Sequence, residues 1–213
     1  MKKKKIVKPS RLIFLILLLA SNTLAWFIYA TKVDNNISVH VKAWDIVLEA
    51  GNTTVSNIIN LDVGNIYPGM TDYEYQITAY NRSEVSADMS YQILEARILD
   101  QTYVTVEGRE NLGQSPVETD LTSAQLENKL GNDYPFSITI DLSAIYMELE
   151  QGEETYTVRV VWPYENNQDA LDTQWGIAAA EYKESNPTSS SIALKIKLLI
   201  TQSASWPVEW ILY

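Results

Sequence analysis

No cysteine occurs anywhere in the 213 residues. Its absence excludes disulfides, cysteine-ligated zinc, iron–sulfur clusters and thiol nucleophiles. Histidine is scarce as well. His40 is the single one, so zinc sites built from several imidazoles are excluded, and a Ser-His-Asp triad would have to use this residue. It falls on the polar side of the first strand pattern and reads as an exposed strand residue. Acid is missing from the first thirty positions. All 27 Asp and Glu follow them, against ten of the sixteen Lys and Arg, so the remainder carries a charge close to −17. Such a surface repels nucleic acid and anionic lipid, and no nucleic-acid partner is expected. With no covalent staples, stability must come from a core, which a domain of about 180 residues can supply.

What the first thirty residues do contain is a targeting pattern. Lys2, Lys3, Lys4, Lys5, Lys8 and Arg11 precede Leu12–Ala30, an uncharged and mostly apolar run. Cations before such a run keep the N-terminus in the cytoplasm and send the following chain outward. Two readings stay open. As an anchor, Leu12 to Ala30 is long enough to form a hydrophobic helix across a lipid bilayer, with Trp26 and Tyr29 at the outer interface. As a cleaved signal, its hydrophobic core is Leu12–Ala20, with Thr23 and Ala25 as the small residues before a cut at Trp26. Residues 1–30 are thus a signal or membrane-anchor segment, and 31–213 an extracellular domain.

That domain reads as β-structure. Ile37, Val39, Val41 and Ala43 alternate, and the apolar face then shifts to Trp44, Ile46 and Leu48, as across a β-bulge. Val55–Val63 is a weaker strand. Tyr67-Pro68-Gly69-Met70 suits a type II turn. Tyr73 to Ala79 and Val85 to Ile93 alternate on either side of Asn81-Arg82-Ser83-Glu84 and read as a hairpin-like pair. Tyr103–Val106 is a short strand, and residues 107–120 are irregular. Thr122 and Gln125 make a capping box for a two-turn helix, Ser123–Leu130, with Leu121 and Leu126 as the staple and Gly131 as the stop. Ile138 to Leu142 and Tyr156 to Trp162 are strands, and Ile145–Glu150 is ambiguous. A loop, Glu165–Gly176, leads to a short helix, Ile177–Glu184. Ile192, Leu194, Ile196, Leu198 and Ile200 form the longest clean alternation. The expectation is an all-β, antiparallel, jelly-roll-like β-sandwich with one or two short inserted helices.

Chemistry-bearing constellations are few. Twenty-seven acids yield carboxylate pairs by chance, so composition does not select a glycosidase, and a solvated acidic surface suffices. Between Glu165 and Thr173 oxygen-bearing side chains are dense, but their spacing is not that of an EF-hand. This stretch is either a cation site or a structured loop in which Asp172 makes an Asx turn or caps the run that follows, and Trp175 with Gly176 packs it down. The terminal SWPVEWILY is either a last core strand or an exposed contact segment using Trp206 and Trp210. Asn52-Thr53-Thr54 and Asn81-Arg82-Ser83 match the glycosylation sequon, without further support.

Three groups of residues carry a resemblance. The first is the lysine-rich start and apolar run ending in Asn22-Thr23-Leu24-Ala25-Trp26-Phe27. The second is Pro68-Gly69, a tyrosine-rich strand and Asn81. The third is Trp162-Pro163-Tyr164-Glu165, then Asp169, Asp172-Thr173 and Gly176, and a strand ending in Thr201-Gln202. Together they resemble the TasA/camelysin-like secreted or cell-surface β-sandwich proteins of Gram-positive bacteria. The first strand departs from the pattern: VKAWDIVLE stands where the family has glycine-threonine-leucine-aspartate-leucine. The resemblance implies processing at Thr23, Ala25 and Trp26. It also implies a non-enzymatic structural or adhesive role at the cell envelope or biofilm matrix, with no cofactor. Some camelysins are described as metalloproteases, but no zinc motif is present here and that activity is not carried over. Cleavage would free the first strand to pair with the sheet edge of another copy. The partners expected are the lipid bilayer, a second copy or a cell-envelope polymer. The alternative is a membrane-anchored surface module that recognises a polysaccharide or protein.

Overall fold

The structure, a computed structural model, describes residues 44–150 and 152–203. Ten strands lie among them: β1 (Ile46–Ala50), β2 (Thr53–Thr54), β3 (Ile58–Val63), β4 (Tyr73–Asn81), β5 (Ala87–Ile98), β6 (Gln101–Val104), β7 (Ser137–Leu142), β8 (Tyr146–Met147), β9 (Gly152–Val161) and β10 (Ile192–Gln202). Three helices interrupt them: α1 (Val106–Asn111), α2 (Ser123–Asn132) and α3 (Asp169–Ser185). The strands form two antiparallel sheets. One runs β2-β1-β4-β9-β7; the other runs β3-β10-β5-β6, with β8 also paired to β5. The all-β expectation holds at this level. The hydrophobic leader Leu12–Ala30, the first alternating stretch and the terminal aromatic segment lie outside the described residues.

Period-two patterning places the core. Ile77, Ala79, Ile138, Ile140, Val158 and Val160 from the first sheet join Ile59, Leu61, Ile93, Ile98 and the β10 residues of the second in one buried cluster. Along β10, Ile192, Leu194, Ile196 and Leu198 are buried, while Lys195 and Lys197 on the other face are only half-buried. Burying each of those four side chains contributes roughly 1.5–3 kcal/mol. Tyr156 on β9 crosses the core, and its hydroxyl lies 3.3 Å from Ser90 O on β5 and 3.4 Å from Leu199 O on β10.

The expected hairpin is corrected. β4 pairs with β1 and β9, and β5 pairs with β10, β6 and β8, so the two alternating stretches lie in different sheets. Asn81 explains the corner. Its Nδ2 donates to Val85 O at 2.9 Å and Glu148 O at 2.8 Å, and its Oδ1 accepts from Ser83 N at 2.9 Å. Ser83 Oγ in turn accepts from Asp45 N at 2.8 Å. These bonds take up the backbone groups that a tight hairpin would have paired. The side chain is buried, so the sequon at Asn81 offers no accessible acceptor.

β5 also changes phase. Lys195 faces Glu95 and Ile196 faces Ile93, which leaves Leu94 as an extra residue, a β-bulge. Leu94 is buried on the side away from the core cluster. Its carbonyl accepts from Thr105 N at 3.0 Å, and Thr105 Oγ1 donates to Ile93 O at 2.7 Å. Thr105 also caps α1, accepting from Gly108 N at 2.9 Å. Residues 107–120 are therefore not wholly irregular. Gly108 fits because any Cβ there would sit 2.1 Å from Leu94 O.

The capping box at Thr122 and Gln125 is present as the sequence indicates. Gly131 does not stop α2, which ends at Asn132 with Asp133 as its C-cap. The turn at Pro68-Gly69 is as expected: Met70 N donates to Tyr67 O at 3.1 Å, and Gly69 has φ +75°. The ambiguous stretch Ile145–Glu150 contains β8. The loop Glu165–Gly176 is corrected too, because helix begins at Asp169. Asp172, Trp175, Ala179 and Tyr182 share one inward stripe at spacings of three and four.

Candidate functional site

Two surface features are built by this fold. The first lies where the sheets part. β3 covers β10 only from Ile192 to Lys197, after which Leu198 N donates to Asn57 O at 2.7 Å. Beyond that point, Leu199–Gln202 pair with β5 alone among the described residues. β2 covers β1 only at Glu49 and Ala50, and Val55 N then donates to Leu48 O at 2.9 Å. Ile46 and Val47 pair with β4 alone among the described residues. The link from β2 to β3 crosses between the sheets, and on one side of it neither edge has a further partner strand among the described residues. A groove of about 300 Å³ lies there, lined by Ile46, Leu48, Val55, Leu198 and Ile200, with Trp44 45% exposed at its rim. Its lining side chains are mostly apolar, with Thr54 and Asn57 among them, and strand backbone flanks it on both sides, the arrangement that accepts an added strand.

The second feature is a cleft of about 750 Å³ over the start of α3. Its floor is fixed by a polar network. Trp162 is fully buried, and its Nε1 donates to Asp172 Oδ1 at 2.7 Å. Asn166 Nδ2 donates to the same oxygen at 3.1 Å and to Pro135 O at 3.2 Å. Gln168 N donates back to Asn166 Oδ1 at 2.8 Å, and Asn167 takes φ +59° to close that turn. Aromatic packing holds the loop from below: the Trp175 ring meets Tyr134 edge-on at 5.0 Å, and Phe136 lies 5.2 Å from Trp162. Tyr164 stands at the rim, 77% exposed, with its ring against Gly69, whose turn is tied down by Gly69 N donating to Trp162 O at 2.8 Å.

The structured-loop alternative for Glu165–Thr173 is thus the one seen, with a change of roles. Asn166 makes the Asx turn, and Asp172 anchors a tryptophan from inside the helix. Among the described residues no group of three or more His, Asp or Glu side chains is placed to hold a metal ion. No helix among them is long and apolar enough to cross a membrane. The signal-processing residues Thr23, Ala25 and Trp26, as well as His40, Trp206 and Trp210, lie outside the described residues. Sequence reasoning marked Glu165–Thr173, which supplies Glu165, Asn167, Asp169, Asp172 and Thr173 to the cleft, and expected pairing at a sheet edge, but it did not place the cleft's joining of that loop to Pro68 or say which edges. The signal for the cleft was Trp162-Pro163-Tyr164, an aromatic placed directly after a strand-ending proline. Those edges had no sequence signal, because alternation does not reveal how far a neighbour extends.

Compared with known proteins, the chain matches no family model, no curated protein and no solved structure.

Proposed function

We propose that this is an exported, non-enzymatic cell-envelope protein. Its role is structural or adhesive, and it is built as a jelly-roll-like β-sandwich behind a hydrophobic leader. What supports the reading is the pair of sheet edges, without a further partner strand among the described residues, that flank the groove at Trp44, Ile46, Leu198 and Ile200. A strand supplied there gains main-chain hydrogen bonds on either side and buries alternate side chains between the sheets. The lysine-rich start and Leu12–Ala30 supply the export signal, and a cut between Ala25 and Trp26 would release a strand able to fill the groove of a second copy. Kinship with the TasA/camelysin-like group belongs to the same proposal. The test is assembly of protein beginning at Trp26. Concentration-dependent fibres in sedimentation and electron microscopy are expected, and a monomer at every concentration overturns the reading.

A second reading, a surface module that recognises a polysaccharide or protein, is favoured by the cleft over α3 and its solvent-facing Tyr164.

A further inference from the structure

Asp172 is the unusual group in the cleft over α3. It is 7% exposed, and its Oδ1 already accepts from Trp162 and Asn166. Its Oδ2 has no partner among the described residues, yet no side-chain oxygen or nitrogen among them is both fully buried and unpartnered. Oδ2 is therefore not fully buried, and Asp172 is one of the residues that line the cleft. A carboxylate held this way is pre-oriented: the indole and amide fix one oxygen and present the other. Glu165 and Asp169 line the same cleft, and no cation does. The Tyr164 side chain lies beside Gly69 and is 77% exposed, and Ile177, 55% exposed, adds apolar surface to the same cleft.

We propose that this cleft binds a glycan bearing free amino groups, with a pyranose ring stacked on Tyr164 and its ammonium on Asp172. The inference deepens the second reading above and rests on it. Each part of the ligand answers a feature of the site. A flat sugar face matches the solvent-exposed ring of Tyr164, and an ammonium matches a carboxylate with one oxygen fixed among further acids. Ring hydroxyls match the side-chain oxygens and amide of Glu165, Asn167 and Asp169. The volume, about 750 Å³, lies within the range of roughly 300–1,000 Å³ typical of small-ligand sites. A lysine-bearing peptide shares the ammonium but fits less well. The groups named here are side chains, and Gly69 N is already committed to Trp162 O, so the cleft offers little to a peptide main chain.

The test is calorimetric titration of the full chain in detergent micelles with a β-1,4-linked glucosamine tetrasaccharide, its N-acetylated counterpart and tetralysine. Binding of the free amine at least tenfold tighter than the other two is expected. Asp172→Asn keeps an oxygen for Trp162 and Asn166 but turns an amide toward the cleft, and Tyr164→Ala removes the platform. Each is expected to weaken glucosamine binding tenfold or more, with the near-ultraviolet circular dichroism of Trp162 unchanged in Asp172→Asn. Equal or tighter binding of the acetylated sugar, or of tetralysine, overturns the ligand assignment and leaves the recognition reading standing. Binding that ignores both substitutions overturns the site. No binding of any of the three overturns the inference, while the fibre assay above still decides the structural role independently.

Discussion

Asn81→Asp exchanges one NH2 for one oxygen at nearly constant volume, so it isolates the hydrogen bonds at the corner between the sheets. The native amide is 1% exposed and donates to Val85 O and Glu148 O. A carboxylate donates to neither and sets a negative charge against two carbonyl oxygens. Leaving the two acceptors at this part-buried corner unpaired costs up to about 1–3 kcal/mol each, so the loss at neutral pH is expected to reach at most roughly 2–6 kcal/mol before the charge is counted. That is a large part of the about 5–15 kcal/mol that holds a typical domain together. Asn81→Ala leaves the same two carbonyls and also the Ser83 N–H without their partner, so by the same count it is expected to cost at least as much, but with no dependence on pH. The assay is urea unfolding followed by circular dichroism, with each variant compared with wild type at the same pH. The folded state disfavours the charged form, so the introduced carboxyl has a folded pKa above its unfolded value of about 3.9. Between those two values the native state holds a proton that the unfolded state has lost, so relative stability falls as pH rises through that window. The deficit against wild type should therefore narrow in acid, where the protonated group again donates one bond. A variant as stable as wild type at neutral pH, or a deficit that does not shrink in acid, would refute this account of the corner.

Gly108→Ala drives a Cβ against Leu94 O and is expected to cost about 1–3 kcal/mol or more, read as a lower urea midpoint; an unchanged midpoint would mean that α1 does not press on the bulge. Asp120 is held below the usual carboxylate range, first by the hydrogen bond from Arg109 and then by the Val117 amide, so its contribution is present above the unfolded pKa and lost as pH falls through the folded one. Asp120→Asn should flatten the acid limb of the stability profile, and an unchanged limb would count against the pairing. Tyr91, Tyr134 and Tyr156 have phenols raised above the ordinary range, chiefly by burial, so they should stay protonated in alkaline ultraviolet titration until the protein unfolds. Ionisation of all thirteen tyrosines in one step near pH 10, with the fold intact, would contradict that burial.

Local rules carried far along this chain. The alternation from Ile192 to Ile200 gave β10, and Thr122 with Gln125 gave the start of α2, because both depend on near neighbours only. The pairing of β4 with β5 was misread because alternation says which side of a strand is buried and nothing about its partner. Asn81 and Ser83 make that choice through bonds to Glu148 and Asp45, far away in the chain. α3 was cut short for a different reason. Asn166, Asn167, Gln168, Asp169 and Asp172 favour turns, and Gln168 at the N-cap makes no side-chain bond to announce the helix. The stripe from Asp172 through Trp175 and Ala179 to Tyr182 was legible, but its first member is a carboxylate that does not look like a core residue until its indole partner is known. The same difficulty hid the cleft, whose parts come from the turn at Pro68 and from the loop nearly a hundred residues later.

The place of β10 between β3 and β5 sets a schedule for synthesis. The nearer of those two flanking strands, β5, leaves the ribosome about ninety residues before the one that joins them, and β3 about 130. At a usual elongation rate this is a wait on the order of 5–20 s, long against the microseconds to seconds in which small domains fold. Through that interval Ile59, Leu61, Ile93 and Ile98 have no central strand to close over them. The nascent chain must be shielded from premature aggregation until β10 arrives.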